Sequence, residues 1–477
     1  MMPVRGHPGL RPNSNSTHQV VRARANPRPP STWPSSLLMC AGLVVTYSLL
    51  PDTGAIAIFR AAAIGASLAI GVGFWMEVKD VRSLFRTDVL MIVSLFGLTL
   101  VEFFFPQEVI KGMVSSKAAL QGVQALFLGF SGLIIGRNFG PKSKASLGVG
   151  AVKISARTQF SLFIVLFFIG YLNMLVAVDF NIIELVNQMM QPRFTQSWSR
   201  GSLGGWNVLL GEFSGLLLYL VPALAGAIFA SASQYGFGQK AFVIFGLVFT
   251  LFYGFSSGTR NVFAIYLVLF VATYVLLRPR ISWRVVTIIC TIVAALLYFA
   301  AYYMLQFRTV GLENYIEYGG AAGGGFREET LFIDNNLPVI SLLTEVFPRS
   351  IPFLGSEFAS YAILHPVPRA IWPSKPEHLS VEPAEALGLS GVTISSTFVG
   401  EAYMMGGYVA VVAVGLLLGW LAGWWNRFGS NLDSNVSVAL YASGFFAALL
   451  SMRSIVWTTT AMLPTVAIWL YARSRKV

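Results

Sequence analysis

The sequence predicts an all-α polytopic membrane protein with about 12 transmembrane helices and one long extracytoplasmic loop. Three observations carry that class. Charged residues make up 11% of the 477 residues, against about 25% in soluble domains, and mean hydropathy is +0.67. Runs such as "AFVIFGLVFTLFYGF" (241–255) are apolar on every face, whereas barrel strands are short and alternate. Finally, the net charge of +12 is distributed along the chain in a way that matches membrane topology.

Residues 1–35, rich in Pro, Ser, Asn and Arg, cannot bury a core and are expected to form a disordered cytoplasmic tail. Apolar spans follow near 36–50, 54–76, 88–105, 118–136, 158–179, 207–231, 240–257, 261–277 and 284–305. Three more lie near 405–425, 436–452 and 454–472, before a short tail at 473–477. Each approaches the roughly 20 residues needed to cross a bilayer. With the N-terminus inside, the inner segments collect 21 of the 33 cations. Among them are Lys79, Arg82, Arg86, Arg137, Arg157, Lys240, Arg278, Arg284 and Arg427. The acids on that side are only Glu77, Asp80, Asp88 and Asp433. The basic excess is thus an orientation signal placing both termini in the cytoplasm, not a nucleic-acid footprint.

This topology leaves residues 306–404 on the outer face. A structureless loop of that length is uncommon, so local helices are expected. "NNLPVISLLTEVF" has helical apolar spacing, "YGGAAGGGF" is a glycine-rich hinge, and "SIPFLGSEFASYAIL" suits an interfacial amphipathic helix. The two cysteines, Cys40 and Cys290, fall in apolar spans, so no disulfide framework is expected.

Outer cations are few, and two have unusual settings. Arg260 lies in "GFSSGTRNVFAIY", a turn of a few residues between apolar spans, and Arg453 is the sole charge in 436–472. A charge facing lipid near mid-bilayer costs a few kcal/mol, so both should face the protein interior or an aqueous cavity. Snorkelling to the headgroups is the structural alternative for each. Both share the outer level with Arg308, Arg369 and Lys375, a set suited to a polyanion such as diphosphate. Arginine offers a planar fork that matches phosphate, and lysine adds a point charge. Glu401, in "STFVGEAYMMGG", could accept a proton from an attacking hydroxyl or could simply pair with an arginine or cap a helix. The chain contains no "GxxxxGK[ST]", "GxGxxG" or "HExxH" motif, so no cofactor is expected.

Four segments, "SSGTRN" (256–261), "PRAIWPSKP" (368–376), "GEAYMMGG" (400–407) and "MRS" (452–454), resemble bacterial oligosaccharide repeat-unit polymerases. These are the Wzy-type enzymes of O-antigen, capsule and exopolysaccharide assembly. The order of the segments, around a long outer loop between spans nine and ten, is also similar to that family. One departure is Ser454 after the late arginine, where relatives often carry Gly.

The resemblance implies a GT-C-like fold and a metal-independent, inverting glycosyl transfer at the outer leaflet of the inner membrane. The donor would be a glycan on undecaprenyl diphosphate and the acceptor a lipid-linked repeat unit. Arg260, Arg369 and Arg453 would bind the diphosphate, with Lys375 and Arg308 in support. Glu401 would act as base or orient the acceptor. A chain-length regulator and a flippase of the same pathway are the implied partners. Rival readings are a ligase-like enzyme, a transporter of the lipid-linked sugar, and a structural membrane subunit. In "VPRAIWPSKPEH" the prolines are expected to hold an irregular backbone rigid. Trp372 would anchor it at headgroup level, with Arg369 and Lys375 directed at the anion.

Overall fold

The computed structural model describes residues 32–107, 110, 112–140, 154–193, 195–198, 206–278, 281–308, 310–318, 333–367, 372, 374–376, 378–389, 394–429 and 435–474. Among these there is no β-strand, and nineteen α-helices follow one another. They are α1 (Trp33–Ser48), α2 (Ala55–Glu77), α3 (Thr87–Thr99), α4 (Ser116–Gly136), α5 (Ala156–Ala177), α6 (Ile182–Met190) and α7 (Trp206–Leu218). Next come α8 (Leu220–Ala230), α9 (Phe237–Ser256), α10 (Arg260–Leu277), α11 (Trp283–Phe307), α12 (Leu312–Tyr318) and α13 (Asn336–Val346). The chain ends with α14 (Ser356–Leu364), α15 (Pro383–Ala386), α16 (Thr397–Gly429), α17 (Asn435–Arg453), α18 (Thr458–Ala461) and α19 (Leu463–Ser474).

Among the described residues, eight stretches are long and apolar enough to cross a membrane: Ala55–Glu77, Ser116–Gly136, Ala156–Ala177, Phe213–Ala230, Phe237–Ser256, Arg260–Leu277, Trp283–Met304 and Thr397–Gly429. The chain is therefore a membrane-embedded helical protein. The other four predicted spans correspond to shorter or broken helices. α1 has 16 residues, and α3 stops at Thr99 before a 3₁₀ turn over Val101–Phe104. Over 454–472 the chain divides into α18 and α19 around Met462. Pro464, at the second position of α19, has no N–H and clashes with the preceding turn, so one continuous helix cannot form.

At one end of the bundle the polar groups of six helices are joined (the clamp end). Arg137, beyond the last residue of α4, forms ion pairs with Glu77 of α2 and Asp88 of α3, both at 3.0 Å. Arg86 pairs with the same two carboxylates, at 2.5 and 2.6 Å. Ser36 of α1 accepts from Arg137 Nη2 at 2.9 Å. Asn426 of α16 donates to Asp88 at 2.5 Å and accepts from the Tyr441 hydroxyl of α17 at 2.9 Å. The side chains of Asp88, Glu77 and Arg137 are 0–2% exposed. Arg86 and Arg137, counted by sequence among the inner cations, are held in ion pairs, because Glu77 and Asp88 flank the same helix ends.

α4 and α16 approach each other through glycines. A Cβ at Gly419 would lie 2.3 Å from the Leu133 carbonyl oxygen, one at Gly423 2.3 Å from that of Arg137, and one at Gly136 2.3 Å from that of Leu416. The four-residue spacing of Gly415, Gly419 and Gly423 puts these small residues on one face, as in close-packed membrane helices. α16 breaks at Gly406 and Gly407, where Gly407 has φ +65°. The carbonyls of Met404 and Met405, released by the break, accept from the N–H groups of Leu354 and Gly355 at 3.0 and 2.9 Å. That segment therefore fixes the kink from outside the helix.

The helix expected at "NNLPVISLLTEVF" is α13, and it is buried. Leu337, Ile340 and Leu343 are fully enclosed, and Ser341 packs so close to Gly122 that a Cβ there would sit 2.8 Å from its Cα. α14 keeps the expected two-faced character: Phe358 and Ala362 are buried, while Ile363 is 68% exposed.

Two stability predictions follow from these contacts. Gly419→Leu should lower stability in detergent by about 1–3 kcal/mol through overpacking, read as a lower thermal midpoint. Gly71→Ala, with nothing within 4 Å of the new Cβ, should leave that midpoint unchanged. Asp88→Ala should cost about 3–5 kcal/mol, since the buried Arg137 and part-buried Arg86 guanidiniums lose a shared partner; an unchanged midpoint would show that the clamp is not stabilising.

Candidate anion-binding site

At the opposite end of the bundle, "SSGTRN" forms the turn between α9 and α10. Gly258 takes φ +64°, and a Cβ there would meet Arg308 Cα at 3.1 Å, so glycine is required for both reasons. The turn presents Arg260 as the first residue of α10. Its Nη2 lies 3.2 Å from Asp334 Oδ1. Arg453, the last residue of α17, brings Nε to 3.7 Å from Asp334 Oδ2. Asn261, its amide oxygen turned toward Arg453, accepts from Nε and Nη1 at 2.8 and 3.0 Å. Two arginines far apart in sequence therefore converge on one carboxylate.

Asp334 is itself held in place. Glu102, just past the end of α3, is 1% exposed. Its Oε2 accepts from the backbone N–H groups of Ile333 and Asn335 at 3.1 and 3.4 Å. Asn335 adopts φ +51°, a conformation asparagine tolerates better than most residues. Asn336 donates to the Leu98 carbonyl at 2.7 Å. The buried Oε1 of Glu102 and Oδ1 atoms of Asn335 and Asn336 have no hydrogen-bond partner.

Burial pushes the Glu102 carboxyl up to about 7, against the three N–H groups of Ile333, Asp334 and Asn335, and the Asp334 charge reinforces the rise. Burial also lowers the Arg308 guanidinium, which Asp334 opposes and Arg453 reinforces. These couplings place Arg308 in the same electrostatic neighbourhood as Arg260, Arg453 and Asp334.

Glu401 sits beside this group with both oxygens engaged. The Ser454 hydroxyl donates to Oε1 and the Ile455 N–H to Oε2, each at 2.5 Å. Ser454, the departure from the resembled motif, thus supplies a hydroxyl that glycine lacks, and Glu401 fixes the turn that follows Arg453. That geometry is a capping role for the turn after α17. Lys375 folds back on its own loop, with Nζ donating to the carbonyls of His365 and Val367 at 2.6 and 3.0 Å. Trp372 donates to Ser374 at 2.8 Å. Arg369, the other cation of "VPRAIWPSKPEH", lies outside the described residues.

The structure therefore joins Arg260, Arg453 and Arg308, and adds Asp334, Glu102 and Asn261, which sequence reasoning missed. Asn261 was legible as the neighbour of Arg260 in "SSGTRN"; Asp334 and Glu102 stand alone in unremarkable contexts. Among the described residues, no group of three or more His, Cys, Asp or Glu is placed to hold a metal ion. No family model, no curated protein and no solved structure matches the chain.

A carboxyl whose folded pKa exceeds its unfolded value stabilises the fold fully below the unfolded pKa, and that contribution is lost as pH rises through the folded one. Glu102 should therefore make the protein less stable as pH rises from about 4.5 to about 7. Glu102→Gln should flatten that part of the thermal midpoint against pH profile. An identical slope in wild type and variant would remove Glu102 as its source.

Proposed function

We propose that the protein polymerises lipid-linked oligosaccharide repeat units, using a polyprenyl-diphosphate glycan as donor in an inverting, metal-independent transfer. The observation that carries this reading is the convergence of Arg260 and Arg453 on the Asp334 carboxylate. Two guanidiniums that close on one anion within a membrane bundle form a site for an anionic group on a membrane-borne substrate. Diphosphate replaces the carboxylate with more oxygens and more charge, and both arginine forks can engage it. As the glycosidic bond breaks, the leaving diphosphate gains negative charge, which preorganised cations stabilise. The donor is already activated, consistent with a sequence that carries no nucleotide-binding motif.

In this reading the chain has 12 spans in a GT-C-like arrangement, both termini are cytoplasmic, and the arginine end faces the outer leaflet of the inner membrane. Arg308 supports the diphosphate from the start of the long loop, and Arg369 and Lys375 belong to the same loop. Glu401 positions Arg453 through the Ser454 turn. Asp334, released when diphosphate takes the arginines, is the carboxylate nearest them that can accept the acceptor hydroxyl's proton. A transporter would need polar groups along a path through the bilayer. At the clamp end Arg86, Arg137, Glu77 and Asp88 instead saturate one another, which favours the enzyme.

The test is reconstitution in liposomes with a synthetic lipid-diphosphate repeat unit and a chelator, with products read as a ladder on a gel. Wild type should build a ladder. Arg260→Ala and Arg453→Ala should each lower its rate about 10–100-fold, the loss of one charge-assisted contact, while the protein stays folded. Undiminished ladders in both variants would overturn the reading. Transfer of single units to a different lipid would assign a ligase, and translocation without a new glycosidic bond a transporter.

A further inference from the structure

The clamp end carries a second feature that the diphosphate reading does not use. A cavity of about 580 Å³ opens between the 3₁₀ turn Val81–Phe85, the C-terminus of α10 and the N-terminus of α11. Its lining includes Asp80, Arg82, Tyr274, Arg278, Ser282 and Val285. The Arg278 guanidinium stands 5.1 Å from the centre of the Tyr274 ring, which fixes its direction. Arg82 donates through Nη2 to the Arg278 carbonyl. Among the described residues neither arginine forms an ion pair, unlike Arg86 and Arg137 a few residues and one helix away. Arg82 and Arg278 against Asp80 leave one net positive charge in the cavity.

The cavity continues onto a lipid-facing stripe of α11. Val285, Ile288 and Ile292 are 42%, 59% and 54% exposed, and their spacing of three and four residues puts them on one helix face. Trp283, 48% exposed, is the first residue of α11 and follows the lining residue Ser282; an exposed indole suits the membrane–water boundary. A polar cavity with a single positive charge, opening onto an apolar stripe, has the outline of one phospholipid.

We propose that this cavity binds the headgroup of a monoanionic phospholipid, with its acyl chains on the α11 stripe. The phosphodiester lies between the Arg82 and Arg278 forks and neutralises the net charge. Asp80 and the Ser282 hydroxyl face the remainder of the headgroup, which selects one carrying hydroxyl donors, such as glycerol. Basic pockets between membrane helices recognise anionic headgroups in this way. A bound lipid would bridge the turn after α2 to the α10–α11 connection.

The test uses the full chain purified from mild detergent into nanodiscs or micelles, with phosphatidylglycerol, phosphatidylcholine and inorganic phosphate as probes. Native mass spectrometry should show preferential retention of phosphatidylglycerol, and the Arg82→Ala/Arg278→Ala double variant should retain it about 30-fold more weakly. Phosphatidylglycerol should also raise the thermal midpoint, whereas inorganic phosphate, which lacks the chains, should not. Equal retention of the two lipids by wild type, or unchanged retention by the folded double variant, would overturn the proposal. So would equal stabilisation by inorganic phosphate. If the double variant does not fold, Arg278→Gln should weaken retention and Asp80→Asn strengthen it; no change in either would reject the site.

Discussion

Two arginines and two carboxylates, three of the four buried and Arg86 part-buried, set the geometry of the bundle. Arg137 and Arg86 share Glu77 and Asp88, and Ser36, Asn426 and Tyr441 complete the hydrogen bonding. Each charge taken from water costs several kcal/mol unless it is paired and hydrogen-bonded, so the arrangement tolerates little displacement of any contributor. Since α1, α2, α3, α4, α16 and α17 each supply a group or an end, their axial register is specified together at this point. Apolar packing alone would specify it poorly, because lipid is as apolar as the faces it covers.

From that fixed end, the glycine contact between α4 and α16 carries register along the membrane. Backbone-to-backbone approach at Gly136, Gly419 and Gly423 leaves no room for either helix to slide. At the far end α16 breaks at Gly406 and Gly407, and its first segment takes its own direction. That segment holds Glu401, which grips the Ser454–Ile455 turn and thereby sets Arg453 at the end of α17. Register at one end is thus connected, through rigid helices, to the placement of an arginine at the other.

The sequence was legible where a single helix or turn decides the outcome. Apolar runs located the long helices, "NNLPVISLLTEVF" indicated α13, and Arg260 and Arg453 stood out because a charge in an apolar run is costly. It was less legible where partners come from distant segments. Glu77 and Asp88 look like ordinary loop acids until folding brings them to Arg137, so counting cations by loop missed their pairing. The burial of α13 was not legible, because Gly122, the residue that lets Ser341 approach, lies more than two hundred positions earlier. Asp334 has no local signature, since its importance comes from two arginines on other helices and from Glu102 holding its backbone.

The charged clusters inside the two ends differ in balance, and this decides which of the two clusters can take an anion. At the clamp end two guanidiniums meet two carboxylates, whose oxygens are occupied by Arg, Asn and Ser partners, so an incoming anion would have to displace a matched set. At the other end Arg260, Arg308 and Arg453 face Asp334 and Glu401. Glu401 has already committed both oxygens to Ser454 and Ile455, and Glu102, pushed up to about 7, withholds part of its charge near neutrality. Among the described residues Asp334 stands between the arginines, and its contact with Arg453 Nε is long at 3.7 Å. An anion with more charge and more oxygens can take that place without leaving a guanidinium unpaired. The exchange is favoured at the end where cations exceed available carboxylates, and there alone among the buried charges of the described chain.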